Sequence, residues 1–421
     1  MNFKLKFNPF TNQPLSNPNI FAGREQEIFY MIKSLFQTAK GNPKHVFVTG
    51  ERGIGKSSYA KQIELIATGD RTLIDRIGID TDRHVFEFIS SKHTCTEGNS
   101  LEQIVNSLLE TLKEKVSRIP KFNVKELDIS FEINLGIIKA GINPKGQIEQ
   151  VPSELINAFV SVLKQLSDKV MYVSEGLVLI IDELDKVVNT ANFGSFFKAL
   201  TERLIDKNVM NVSIVLVGIN GTMQKLTEQH ESVRRIFHEI EIPILNMEER
   251  KLIVTNALNE VKATVDIEVL NEIAHISGGF PAPIHLLGES IYDCDTDNHL
   301  DINDFRIGLD KVIRYIKKSE LKDKLKGAGS GRYQQILRIM ASYPQENVPL
   351  SHISQELGVD HPRQYSTNIR KLLDNDFIEK VELGIYKLKD KLLRTYILNV
   401  AMLEDDDEMG YDEDSDTNII H

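Results

Sequence analysis

Residues 50–58 read GERGIGKSS and follow the apolar run HVFVT at 45–49. Gly50, Gly55, Lys56 and Ser57 fit the pattern G-x-x-x-x-G-K-[ST], a spacing with a direct physical use. Backbone N–H groups must come close to phosphate oxygens, and side chains at the glycine positions would obstruct that approach. A helix beginning near Lys56 points its positive end at the same anion. Lys56 can then neutralise β- and γ-phosphates, and the Ser57 hydroxyl can ligate magnesium. The other loop residues, Arg52, Gly53, Ile54 and Ser58, are expected around the same phosphates.

A second stretch, LVLIIDELDK at 177–186, ends an apolar run in acidic residues. A carboxylate at the end of a buried strand emerges at the ligand-binding edge of a parallel sheet. Asp182 can hold magnesium through water, and Glu183 can polarise an attacking water. An aspartate here also serves to cap a following helix, so the pair gains its meaning from the glycine loop. Together they point to ATP or GTP bound with magnesium.

These residues need a scaffold. From about residue 21 to 245, short apolar runs alternate with amphipathic stretches, the pattern of an α/β protein with a parallel sheet. Strands are expected at His45–Thr49, His84–Ile89, Leu177–Asp182, Val212–Gly218 and Glu239–Ile244. Ser100 and Gln103 have the spacing of a capping box, opening a helix with Leu101, Ile104, Val105, Leu108, Leu109 and Leu112 on one face. Another helix is expected over Ser153–Val170. Between these two helices DISFEINL alternates strictly, with Ile129, Phe131, Ile133 and Leu135 on one face, as in a half-buried strand of an inserted hairpin.

From Asn246 to about Ile316 the signals are helical, with Asn246 as a cap and Glu248 and Glu249 in the first turn. The flexible KGAGSG stretch precedes helices at Tyr333–Ser342, Leu350–Leu357 and Gln364–Asn375. A strand pair follows around FIEKVELGIYKL, turning at Gly384. Three small helices and a hairpin describe a winged helix-turn-helix.

Bulk properties narrow the class. The chain has 421 residues, 41% hydrophobic and 26% charged, enough for two or three soluble domains. Its apolar runs are too short to span a bilayer, and MNFKLKFNPF has no apolar signal core. No membrane partner and a cytoplasmic location are expected. Two distant cysteines, Cys95 and Cys294, argue for buried thiols rather than a disulfide or zinc site. The net charge of −11 comes mainly from nine acidic residues between Glu404 and Asp416; without them the body carries −2. The tail reads as a solvated end, with binding of a basic partner as the alternative.

With these motifs in hand the chain resembles the AAA+ and STAND branch of P-loop ATPases, and within it the archaeal-type clade that includes origin-recognition initiators. The likeness runs over roughly residues 8 to 398. FAGREQE at 21–27 resembles the box before the first helix, which implies that Phe21 and Arg24 lie near the adenine. IVLVGING at 214–221 resembles the sensor strand, lying between the strands of Lys56 and Asp182, and implies that Asn220 approaches the γ-phosphate. A turn asparagine without a ligand is the competing account. HESVRRIF at 230–237 falls where relatives carry an arginine finger, which implies Arg235, with Arg234 second, as a group offered to a neighbour's ATP. A solvated pair on a helix is the alternative. SGGFPAP at 277–283 lacks the initiators' arginine, with Ala282 in its place, and resembles the G-x-P motif of STAND ATPases. That implies Pro281 as a lid contact to the nucleotide region and slow turnover.

The expected organisation is an N-terminal extension (1–20), a P-loop AAA+ core (21–245, with the hairpin at about 119–150) and a helical lid (246–325). A C-terminal winged helix (326–400) and a disordered acidic tail (401–421) follow. The favoured function is a slowly hydrolysing Mg-ATP switch that controls self-assembly, as a homo-oligomer, or engagement of a protein partner. The alternative is an initiator-like ATPase gripping duplex DNA through HPRQYSTNIRKLL, with Arg363, Gln364, Ser366, Asn368, Arg370 and Lys371 toward phosphates or bases. Residues 331–400 hold ten basic and eight acidic residues, and so small a surplus predicts weak DNA binding. No pore-loop aromatic motif supports an unfoldase.

Overall fold

The computed structural model describes residues 6–119, 153–316, 331–345, 347–375, 377–389, 393, 394 and 397. The expected inserted hairpin, the KGAGSG linker up to Ser330 and the acidic tail lie outside these residues. The described chain forms two compact units, one spanning Gln13–Asn256 and the other combining residues 6–12 with those from Ala257 onward.

The first unit is built on five parallel strands: β1 (His45–Thr49), β2 (Phe88–Thr94), β3 (Gly176–Asp182), β4 (Val212–Val217) and β5 (Phe237–Glu241). Their order across the sheet is β2-β3-β4-β1-β5. The apolar strands β3 and β4 are buried at every position, because helices cover both faces. Leu177, Leu179 and Ile181 share one core with Ile214, Leu216 and Phe47, packed under helices Leu101–Ser117, Ser153–Val170 and Phe193–Asp206. The intervening residues Val178, Ile180 and Val215 are buried too, and helix Lys56–Ala67 contacts β2, β3 and β4. Helix α1 (Glu25–Ala39) packs against that helix.

Two strands sit off their expected positions. β2 begins four residues later than His84 and runs to Thr94, through Ser90, Ser91, Lys92 and His93. Those polar residues carry no apolar signal, yet the strand tolerates them because they find partners. Ser91 Oγ donates to the Leu108 carbonyl at 2.8 Å, and Lys115 donates to Ser90 Oγ at 2.8 Å. β5 spans Phe237–Glu241 instead of Glu239–Ile244. The two helix-opening signals at Ser100 and Asn246 agree with the structure. Ser100 and Gln103 form the reciprocal capping box, and Asn246 and Glu249 exchange the same pair of bonds, at 3.0 and 2.7 Å.

The second unit contains helices Ile267–Ile276, Pro281–Tyr292 and Ile302–Ile316, with a two-residue parallel pairing of Thr264–Val265 and His299–Leu300. Residues 6–12 pack on helix Pro281–Tyr292, where Asn8 donates to the Glu289 carbonyl (3.0 Å) and to Asp293 (2.7 Å). Helices Gly331–Ser342, Leu350–Leu357 and Ser366–Asp374 accompany a three-stranded antiparallel sheet. Its strands are Val348–Pro349, Ile385–Leu388 and Ile378–Glu382 in that spatial order, and Gly384 turns between the last two with φ 78°.

Two imidazoles withdrawn from water to different degrees set an acid limit. Burial pushes His45 and His285 down from 6.5 to about 4. Each ring nitrogen accepts a backbone N–H, from Ile214 (3.1 Å) and Thr11 (3.4 Å) respectively. The unfolded chain therefore takes up protons below about 6.5 that the folded chain refuses, so stability falls as pH drops from 6.5 toward 4. At about 1.4 kcal/mol per pKa unit the loss approaches 3 kcal/mol for His285. It is smaller for His45, whose residue is only half-buried at the start of β1. Urea unfolding at a series of pH values checks this, and His285→Gln should flatten part of the slope.

Candidate nucleotide site

The glycine loop leaves the end of β1 and enters helix α2 (Lys56–Ala67). Gly50, at φ 152°, leaves little room for a side chain, since a Cβ there would lie 3.0 Å from Ile54 Cγ2 and 3.2 Å from the Ile242 carbonyl and would force both to give way. Gly55 sits just before the helix in a left-handed conformation, φ 94°, which admits glycine readily. The loop thus delivers the first N–H groups of α2 to one place, as anion binding requires.

Lys56 lies across this loop. Its Nζ donates to the carbonyls of Gly50 (2.9 Å) and Glu51 (2.7 Å). Burial lowers its pKa, and the charges of Asp185 and Asp182 oppose that shift, so the amine and the carboxylates share one electrostatic neighbourhood. A triphosphate here would exchange carbonyl acceptors for anionic ones, which hold an ammonium more strongly.

Asp182 ends β3, separated from β1 in the sheet by β4. It is 2% exposed, and both carboxylate oxygens are engaged: Oδ1 accepts the Glu183 N–H (2.9 Å), and Oδ2 pairs with Lys92 Nζ (2.9 Å). Glu183 follows in a left-handed conformation, φ 58°, and its carboxylate pairs with Lys186. Asp185 Oδ1 accepts the Ile219 N–H at 3.3 Å, tying the carboxylate turn to the end of β4. Cys95 donates its N–H to the Asp182 carbonyl (2.8 Å), and burial with the Asp182 charge pushes its thiol up to about 12.

The remaining expected residues divide. Arg24 is 4% exposed, with burial lowering its pKa to about 10, and its guanidinium donates to the Ile54 carbonyl. It therefore braces the loop. The Phe21 side chain is buried and its carbonyl accepts from Arg76. Ser58 Oγ accepts the Leu15 N–H (2.9 Å), while Gln62 donates to the Leu15 carbonyl (2.9 Å), so this hydroxyl holds the chain before α1. Arg52 and Gly53 are exposed, Ile54 is buried, and Ser57 is half-buried in the first turn of α2. Asn220 is exposed just past β4. Arg235 is exposed on the short helix Val233–Ile236 and donates to Ser232 Oγ at 3.2 Å. Pro281 begins helix Pro281–Tyr292 of the other unit. Sequence reasoning missed Lys92, Asp185 and Lys186, because ion pairing across the sheet and within a tight turn has no periodic signature.

No group of three or more metal-ligating His, Cys, Asp or Glu side chains occurs among the described residues. Magnesium suits such a site, since it is held by one or two carboxylates together with substrate phosphates. The Ser57 hydroxyl and the Asp182 carboxylate are the donors the loop and β3 can contribute. Among the described residues no helix is long and apolar enough to cross a membrane.

No curated protein matches the sequence. Among solved structures, a Walker-type ATPase of Pyrococcus abyssi is similar at 16% identity and a TM-score of 0.54, covering 93% of this chain and 99% of its own. The Aeropyrum pernix ORC2 protein, in ADPNP–ADP complexes, is similar at 13% identity and a TM-score of 0.50, covering 91% and 94%. These likenesses bear on the fold. Residues 20–212, which contain both the loop and the carboxylate pair, match the family model of the AAA ATPase domain, and that match supports a P-loop AAA+ ATPase reading of this part of the chain.

Proposed function

We propose that the chain is a slowly hydrolysing Mg-ATP switch. The observation that carries this reading is the convergence of Lys56, Asp182 and Asp185 at the ends of β1 and β3. Lys56 leaves the Gly50 and Glu51 carbonyls for the β- and γ-phosphates, and the loop N–H groups from Gly50 to Ser58 hold the remaining oxygens. Ser57 and Asp182 hold magnesium, which neutralises charge developing on the phosphates when bound. Glu183 orients and polarises the attacking water once its carboxylate turns from Lys186. Asn220 helps place that water, and Arg235 reaches the ATP of a second copy.

The helices from Met247 to Ile316 act as the lid, and the three helices and sheet from Gly331 to Leu388 act as a winged helix. Phe21 and Arg24 lie on the adenine side, Arg24 by bracing Ile54. Nucleotide can bias such a switch only by different affinity for its two states. The γ-phosphate, seen by Lys56 and by a partner's arginine, provides that difference.

Duplex DNA is the second output to be tested. Arg363, Gln364, Ser366, Arg370 and Lys371 are exposed around helix Ser366–Asp374, which favours a polar contact there. The experiment is steady-state ATP hydrolysis per chain against protein concentration, with and without duplex. Turnover should rise with concentration and ignore DNA, and Arg235→Ala should abolish that rise, since an arginine supplied in trans is worth about 10³-fold or more in rate. Concentration-independent turnover that appears only with duplex would replace the switch by a DNA-dependent ATPase.

A further inference from the structure

We propose that Lys92 is a built-in counter-cation of Asp182 which magnesium must displace before the site loads. The proposal rests on the Mg-ATP reading and adds a residue that sets its metal requirement. Lys92 stands on β2 opposite Ile180, and Thr94 stands opposite Asp182, so its long side chain runs along the sheet edge to reach the carboxylate. The pair is 2.9 Å apart, with the lysine side chain 21% exposed and the aspartate 2%. The second oxygen of Asp182 is taken by the Glu183 N–H.

A carboxylate so far removed from water needs a positive partner, and Lys92 supplies one from the chain itself. Magnesium held by the same carboxylate would stand beside the ammonium, and like charges repel strongly where water is excluded. One buried carboxylate therefore serves two competing cations. Magnesium prevails only when the triphosphate arrives with it, because the phosphates add the negative charge that both cations then share. The partly exposed side of Lys92 gives the displaced amine a route toward solvent or phosphate. Without nucleotide the site stays neutralised by its own lysine and does not depend on metal for its integrity.

The Lys186–Glu183 pair differs in a way that isolates Lys92. Its side chains are 33% and 40% exposed, so water already screens it, and breaking it at Lys186 should leave the magnesium requirement unchanged.

The test is binding of a fluorescent ATP analogue to the full chain over a range of free magnesium, at mildly alkaline pH. Lys92→Gln keeps a donor toward Asp182 without the charge. We expect its half-saturating magnesium concentration to fall about tenfold, with a lower melting temperature in metal-free buffer. A purely structural lysine would lower the melting temperature and leave the magnesium requirement unchanged or higher, and that result overturns the proposal. Lys92→Arg keeps both charge and fold, and should need at least as much magnesium as the wild type. Should Lys92→Gln not fold, a lower requirement in Lys92→Arg overturns the proposal. Wild-type protein that binds no analogue at any magnesium concentration would remove the Mg-ATP reading itself, and the proposal with it. Wild-type binding with an unchanged Lys92→Gln midpoint removes only the role of Lys92.

Discussion

Glu183→Gln is expected to abolish ATP turnover while leaving ATP bound. Glu183 occupies the left-handed position after β3 and is half-exposed, so replacing its carboxylate with an amide disturbs little packing. The amide keeps the shape and loses the basicity needed to polarise water. A general base of this kind contributes about 10²- to 10⁴-fold to rate, and the loss should fall in that range. Single-turnover hydrolysis beside equilibrium binding separates the two effects. Unchanged turnover would move the base elsewhere, with Asp185 as the neighbour to test.

Lys56→Ala has the second large effect, and it acts one step earlier. The Lys56 ammonium donates to the Gly50 and Glu51 carbonyls, and in the proposed complex it is the partner of two phosphates. Hydrogen bonds to charged groups are worth about 1.5–3 kcal/mol each. Losing two of them should weaken ATP binding by at least about 10²-fold. The same change leaves the loop carbonyls without their lysine, so a modest loss of stability in the absence of nucleotide should accompany it. Calorimetric titration and a melting curve of the variant report the two consequences separately.

The contrast between Lys56 and Lys92 shows what a sequence can disclose. Lys56 is legible because its chemistry depends on neighbours along the chain: two glycines, a strand before and a helix after. The same holds for β1, whose apolar run matches its observed span, and for the capping box at Ser100. Asp182 is legible for a related reason, since LVLII alone dictates a strand buried on both faces. Lys92 is different. Nothing local to FISSKHT announces that its lysine pairs with a carboxylate some 90 residues later, because that fact arises from the parallel register of β2 and β3.

β2 lies C-terminal to its expected span, at Phe88–Thr94 instead of His84–Ile89, for the same cause. Its polar residues are made acceptable by Leu108, Lys115 and Asp182, all of them distant in sequence. Two-residue strands such as Val348–Pro349 are too short to carry any period. Arg24 and Ser58 show a further limit. Arg24 is expected near the adenine and Ser58 around the phosphates, and tertiary contacts without any local signature hold Arg24 to the Ile54 carbonyl and Ser58 to the Leu15 N–H.

Equilibrium dialysis of ATP against the full chain tests most directly that this loop and these carboxylates hold Mg-ATP. Saturable binding of one ATP per chain is expected in magnesium, weakened when the metal is chelated. Absence of saturable binding with magnesium present would contradict it.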